Sequence, residues 1–387
     1  MQYSTKKIIN RKLPAGFFMN IGFIVNNICQ HGGVERTVSA VSNLLQERGH
    51  HITIFSCFST SKKDEYYPLH KSIKVIHIAD IFCNSFMYKH FSNHKLWIYF
   101  KILMFIKKHL KTNYFDFLIS ACYWSNQLLP FFVRKGKIIA CDHGDFNSLT
   151  LLDRTMARCC YRFSDAVVLL HEKHAENYTF IPDNKKFVIP NPIPFQTEKK
   201  ADCVNKKMLF LARLSCEKGA DLLLDIAEKL KEKIPEWQID IYGDGPEEYK
   251  LKQLAESKNL SGFLFFHPAT NNVLEKYLES SIYLMTSRHE GLPMVLLEAQ
   301  TCGLPTVAYD CNIGPRCVIT HGENGYLIPP GEKELFAEHV VKLASDLKHR
   351  QQLGKNAIKN SEKFLPEVIV AKWINLFQEL LSRQEKK

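Results

Sequence analysis

The stretch Ile282-Tyr-Leu-Met-Thr-Ser287-Arg-His-Glu290-Gly-Leu-Pro-Met294-Val-Leu-Leu-Glu298-Ala-Gln-Thr-Cys-Gly-Leu-Pro305-Thr-Val-Ala-Tyr309 reads as strand, turn, helix and strand in immediate succession. The apolar runs 282–286 and 305–309 have the length of buried strands, and a Gly-Leu-Pro turn leads into a helix beginning near Met294. A strand that feeds a helix and then a second apolar strand is the unit of an α/β fold with a parallel sheet. At the start of such a helix the backbone N–H groups lack intrahelical partners and favour an anion.

The same alternation extends in both directions. Upstream in the second half, Lys207–Leu211, Gln238–Tyr242 and Gly262–Phe266 read as strands, with helical stretches between them. In the first half the strand candidates are Ile21–Val25, Ile52–Ser56, Lys74–Ile78, Phe117–Ser120, Lys137–Cys141 and Ala166–Leu170. A helix over Glu35–Arg48 ends at Gly49. Two restarts of the pattern predict two Rossmann-like domains, over 19–190 and 207–365. The prolines of Ile189-Pro-Asn-Pro-Ile-Pro194 bar helix and central strand, so a linker is expected over 191–206. In 366–387, Val370, Trp373, Ile374, Phe377, Leu380 and Leu381 share one helical face, which predicts a terminal helix packed back on the body. Residues 1–18 read as a dispensable extension before the first strand.

Several strand ends carry residues suited to one anionic, hydroxyl-bearing ligand. Glu290 falls on the loop after strand 282–286 and Glu298 about one turn into the following helix, with the amides of Gly291, Leu292, Pro293 (carbonyl only), Met294 and Val295 between them. Taken alone, this is also an ordinary strand–helix turn with two solvated glutamates. Three other segments converge on the ligand reading. Arg213 and Lys218 follow the strand 207–211, on the side where open α/β sheets bind ligands, and two fixed cations there suit a diphosphate. Gly243 and Gly245 form a turn after the strand 238–242, and the missing third glycine argues against a dinucleotide fingerprint. His267 closes another strand, placed to flank a planar base, whereas Phe265 reads as core. In the first half, Gly32-Gly33 opens a helix after the first strand, and His143 follows the strand 137–141.

Composition narrows the class. Of 387 residues, 45% are apolar and 24% charged, which excludes a disordered chain, a coiled coil and a collagen-like repeat. The net charge of +11 is unevenly distributed: residues 1–190 carry 25 basic against 13 acidic side chains, and 191–387 carry 26 against 27. Such asymmetry suits either a solvated basic face or an anionic partner for the first half. No aromatic-basic stripe or known module supports nucleic acid as that partner. The apolar, basic-ended segment Leu96–Lys111 reads as a buried helix or as one lying on anionic lipid. Twelve scattered cysteines without Cys-x-x-Cys spacing suggest reduced thiols and a cytoplasmic setting, and no run reaches bilayer length.

Together, the Gly-Gly turn at 32–33, His143, the Arg213/Lys218 pair, the 243–246 turn and the Glu290-x7-Glu298 block resemble the family-four glycosyltransferases of the GT-B fold, from about Met19 onward. Asp310-Cys-Asn-Ile-Gly-Pro-Arg316 resembles members from bacterial surface-polysaccharide synthesis, although Arg316-Cys317 stand where relatives often carry an acidic residue. The resemblance implies two Rossmann-like domains facing across a cleft, and retaining transfer of a hexose-type sugar from a nucleotide diphosphate sugar to a saccharide acceptor. It also implies that Arg213 and Lys218 bind the diphosphate, Glu298 the ribose and Glu290 the donor sugar. Gly33 would lie near the reaction centre, His143 would touch the sugar, and the amides of 292–295 would hold sugar or phosphate. No Asp-x-Asp occurs, so neither a metal nor any other cofactor is expected. The basic first half fits an acceptor on a lipid diphosphate and peripheral attachment to the inner face of the plasma membrane. A nucleotide-sugar epimerase or phosphorylase, or a non-catalytic nucleotide-sugar-binding protein, would share the diphosphate site.

Overall fold

The computed structural model describes residues 18–83, 95–133, 136–144, 146, 150–311 and 314–383. The extension expected over 1–18 therefore lies, Phe18 apart, outside the described residues. Two all-parallel sheets organise the chain. The first contains β1 (Asn20–Val25), β2 (His51–Ser56), β3 (Lys74–His77), β4 (Phe117–Ser120), β5 (Lys137–Asp142), β6 (Ala166–Leu169) and β7 (Lys186–Val188), in the order β3-β2-β1-β4-β5-β6-β7. The second contains β8 (Lys207–Leu211), β9 (Gln238–Tyr242), β10 (Leu264–His267), β11 (Ile282–Met285), β12 (Thr306–Tyr309) and β13 (Gly325–Ile328), in the order β10-β9-β8-β11-β12-β13. Each order reverses once, at β1/β4 and at β8/β11. Ligand crevices form beyond the carboxyl ends of strands at such reversals. Four helices matter below: α1 (Gly33–Gln46), α2 (Lys95–Thr112), α3 (Met294–Thr301) and α4 (Pro366–Ser382).

The central strands are apolar along their whole length because helices cover both faces of each sheet. Phe23, Ile54, Phe117, Ile139 and Val168 build one face of the first core, while Met208, Ile239, Ile241, Leu284 and Val307 belong to that of the second. Two departures from the sequence reading have local causes. Gly262 adopts φ +79°, a turn conformation, so β10 begins two residues later than expected and extends to His267. The alternation of that strand turns Phe265 outward, 38% exposed, and packs Phe266 against the core, which corrects the expectation that Phe265 is a core residue. The short strands β7 and β13 lie at or near sheet edges and carry weak apolar signals.

α4 belongs to the first core although it follows the second half in sequence. Ile369, Val370, Trp373, Leu376, Phe377 and Leu380 are buried with residues of β1, α1 and β4, and Phe377 stacks on Phe117 at 4.4 Å. The chain therefore passes between the halves twice, at 189–194 and near 364–366, and the two passages touch where the Ile193 N–H donates to the Phe364 carbonyl at 2.8 Å. Segment 96–111 is a helix with Ile102, Leu103, Ile106 and Leu110 buried, while Phe100, Met104, Lys107, Lys108 and Lys111 remain exposed. Its buried reading holds for one face only.

Phe377→Ala should cost about 3–5 kcal/mol of stability, because a buried aromatic leaves a cavity against a stacked partner. Urea unfolding followed by tryptophan fluorescence measures it, and a loss below about 1 kcal/mol would contradict this packing of α4.

Candidate active site

On the second half, two segments distant in sequence are stitched together at the carboxyl ends of β8 and β11. The Thr286 hydroxyl donates to the Gly219 carbonyl at 2.7 Å, and Arg288 grips Asp221 with both guanidinium nitrogens at 2.8 and 2.6 Å. The Arg288 N–H donates to the Glu217 carbonyl at 2.8 Å. These contacts fix the turn carrying Lys218 beside the loop carrying Glu290. As a result Lys218 Nζ lies 2.9 Å from Glu290 Oε1, with side chains 27% and 10% exposed. Arg213, on the crest of β8, is exposed and has no ion-pair partner among the described residues.

The 243–246 turn presses on this crest. A side chain at Gly243 would place its Cβ 1.9 Å from the Ala212 carbonyl oxygen, so only glycine fits there. The Gly245 Cβ would likewise meet the Leu214 carbonyl. His267 donates its Nε2–H to Asp240 Oδ1 at 2.9 Å and stacks on Tyr242, with centroids 4.4 Å apart and planes 15° from parallel. The pair forms a flat aromatic surface at the ends of β9 and β10. At the start of α3, the N–H groups of Gly291, Leu292, Met294 and Val295 enter no backbone hydrogen bond among the described residues. They are open donors beside Glu290.

Glu298 is buried, only 1% exposed, and its two oxygens are both engaged. Tyr277 donates its hydroxyl to Oε2 at 2.9 Å, and Arg36 of the opposite half donates Nη1 to Oε1 at 2.6 Å. Burial pushes the Glu298 carboxyl up, and the Arg36 charge together with the Tyr277 hydroxyl pulls it back. Arg36 sits one turn into α1, just after Gly33, and carries the cross-cleft contact. Gly33 itself is exposed, with open space where a side chain would project.

His143 follows β5 on the first half. Asp142 beside it is locked by the hydroxyls of Tyr178 at 2.5 Å and Tyr161 at 3.1 Å and by the Gly144 N–H at 3.1 Å. The His143 carbonyl approaches Gly291 so closely that a Cβ there would lie 2.4 Å from it. The two halves therefore touch at two residues expected in the site. Burial of the imidazole pushes its pKa down to about 4, against the pull of Asp142, so His143 is neutral at pH 7. Its Nδ1 is buried without a hydrogen-bond partner among the described residues.

The structure thus gathers Gly33, His143, Arg213, Lys218, Gly243, Gly245, Glu290, the 291–295 turn and Glu298 around one cleft, with His267 at its rim. Sequence reasoning missed Arg36 and Tyr277, the two groups that hold Glu298. A basic residue one turn after Gly-Gly was the available signal for Arg36.

Comparison with known proteins agrees with the fold. The family described as Glycosyltransferase Family 4 matches residues 31–196, and Glycosyl transferases group 1 matches 195–360. The amylovoran biosynthesis glycosyltransferase AmsD of Erwinia amylovora is 27% identical over 362 residues, covering 90% of this chain and 97% of its own. The lipopolysaccharide outer core galactosyltransferase WaaB, in its apo form, superposes with a TM-score of 0.74 at 20% identity, covering 94% of this chain and all of its own. Anabaena Alr3699/HepE, solved with UDP and glucose, superposes at 0.73 and 16% identity over 93% of this chain and 99% of its own.

Arg36→Ala should destabilise the protein in a pH-dependent manner. Without the guanidinium the folded-state pKa of Glu298 rises further, so stability falls as pH climbs through it. The variant should match wild type near pH 4.5 and lose about 2 kcal/mol by pH 8, less than a fully buried pair because Arg36 is 27% exposed. Thermal melts at both pH values test this; an equal loss at each would contradict it.

Proposed function

Because the chain belongs to the family-four glycosyltransferases of the GT-B fold, we propose that it moves a hexose from a nucleotide diphosphate sugar to a saccharide acceptor, with retention at the anomeric carbon. The observation that carries this reading is the Lys218–Glu290 pair, set beside exposed Arg213 and the open amides of 291–295. An incoming diphosphate offers Lys218 and Arg213 stronger partners than a single carboxylate, and Glu290 is released toward the hydroxyls of the sugar. Glu298, freed from Arg36, accepts hydrogen bonds from the ribose, and the Tyr242–His267 surface suits the base.

In transfer, the bond between the anomeric carbon and the leaving phosphate oxygen breaks. The acceptor oxygen bonds to the same face of that carbon, and its proton passes to the leaving phosphate. Arg213, Lys218 and the α3 amides stabilise the charge that grows on the diphosphate, which lowers the barrier without a carboxylate nucleophile. Neutral His143 is suited to hydrogen-bond a sugar hydroxyl. In this reading the two cations serve where other transferases use a metal.

The relative in amylovoran synthesis supports a role in surface-polysaccharide assembly. No helix among the described residues is long and apolar enough to cross a membrane. Peripheral docking on the cytoplasmic leaflet, with an acceptor held on a lipid diphosphate, is supported by α2, where Phe100 and Met104 lie exposed beside Lys107, Lys108 and Lys111.

Lys218→Ala and Glu290→Ala should each reduce turnover of a nucleotide sugar at least about tenfold, or about 1.4 kcal/mol in barrier. Each variant is assayed below its own melting temperature, since removing Lys218 leaves the Glu290 carboxylate, 10% exposed, without its partner. Release of nucleoside diphosphate, measured with and without acceptor, reads the effect; an undiminished rate in the folded double variant would sink the assignment. Sedimentation with phosphatidylglycerol vesicles tests the membrane reading. Binding should be lost at high salt and in the variant carrying Lys107→Glu and Lys111→Glu; salt-insensitive binding, or none, counts against it.

A further inference from the structure

The loop after β1 and the long loop after β2 bring three rings together at the carboxyl edge of the first sheet. His31 lies 4.8 Å from Tyr66 and 6.1 Å from Tyr67, and the two tyrosines are 5.0 Å apart. Tyr66 is 49% exposed, and His31 is exposed as well. The cluster is not remote from the cleft. The Arg36 guanidinium sits 5.8 Å from the Tyr67 ring centre while its Nη1 bonds Glu298 at 2.6 Å. One arginine side chain therefore separates these rings from the buried carboxylate of the opposite half. Gly33, two residues from His31, faces open space. Asp244 of the 243–246 turn is close enough to act electrostatically on His31, so that imidazole lies near the second half.

We propose that His31, Tyr66 and Tyr67 form a stacking platform for a sugar ring of the acceptor, beside the donor site across Arg36. This rests on the glycosyl-transfer reading and gives it an acceptor subsite. The chemistry fits a saccharide. Pyranose rings present C–H faces that pack on aromatic surfaces, and phenol hydroxyls at the edge meet the equatorial hydroxyls. The platform carries no charge at neutral pH: burial and Arg36 push the His31 imidazole down, and burial pushes the Tyr67 hydroxyl up to about 12. An uncharged aromatic surface suits a neutral sugar better than a phosphate, and the donor's anionic groups already have Arg213 and Lys218. Gly33, near which the proposed reaction takes place, has no atom within 4 Å of where a side chain would project, which leaves room beside it for a substrate.

The test uses the full chain and its Tyr66→Ala, Tyr66→Phe and His31→Ala variants. The probes are the methyl glycosides of glucose, galactose and N-acetylglucosamine, followed by saturation-transfer NMR, and UDP, followed by calorimetry. At least one glycoside should bind wild type, bind Tyr66→Phe within twofold, and lose fivefold or more in Tyr66→Ala and His31→Ala. UDP affinity should stay within twofold throughout. Glycoside binding unchanged in Tyr66→Ala, or no glycoside binding to wild type, overturns the platform. So does a parallel fall of UDP affinity, which would assign the rings to the donor. Failure of wild type to bind any nucleoside diphosphate, with glycoside binding as expected, would instead bring down the transfer reading and leave a saccharide site.

Discussion

A carboxylate taken out of water must find a counter-charge or give up its own, and Glu298 finds its counter-charge in the other half of the molecule. The helix that carries it is set by β11 and β12; the arginine that answers it is set by β1 and the Gly-Gly turn. Neither domain alone satisfies this group. The contact between the halves uses the same oxygen that a ribose hydroxyl claims in the proposed function, so in that reading the Arg36 bridge and ligand binding compete for one atom. The contact of the His143 carbonyl with Gly291 adds a second point of approach, and Asn191 reaches Met294 as a third.

The remainder of the site follows from how closely backbones approach on the second half. The 243–246 turn lies against 212–214, and the 216–219 turn lies against the end of β11, each without room for a side chain. Those approaches carry Glu290 to the crest that holds Arg213 and Lys218, although it lies 72 residues beyond Lys218 in sequence. Arg288 and Asp221 brace the arrangement from outside, so the charged groups that face the cleft do not bear the structural load themselves.

Much of this was legible beforehand, for physical reasons. Buried parallel strands are apolar from end to end, so β1, β2, β4, β8, β9, β11 and β12 stand out within a residue or two of their bounds. The Glu290-x7-Glu298 block was legible because one turn and one helix fix the distance between its ends. Arg36 was not, because its partner lies 262 residues away and no local pattern encodes a contact across a cleft. β7 and β13 escaped because a short strand near an edge needs little apolar length. Phe265 was misplaced because a strand's two faces are told apart only by what covers them, and β10 lies at the edge of its sheet.

The position of α4 also bears on how the molecule is made. Its apolar face completes the core of the first half, yet it is synthesised after the whole of the second half. A ribosome adding about 5–20 residues per second needs on the order of 10–40 s to travel from the end of β7 to this helix. During that interval β1, α1 and β4 present an uncovered apolar seam, and the second half can fold first. Birth order and assembly order are thus inverted: the half that emerges first is the last to close. A chain built this way depends for its first domain on residues made after its second, so a stop codon anywhere from 366 to 377 removes a piece of the N-terminal core.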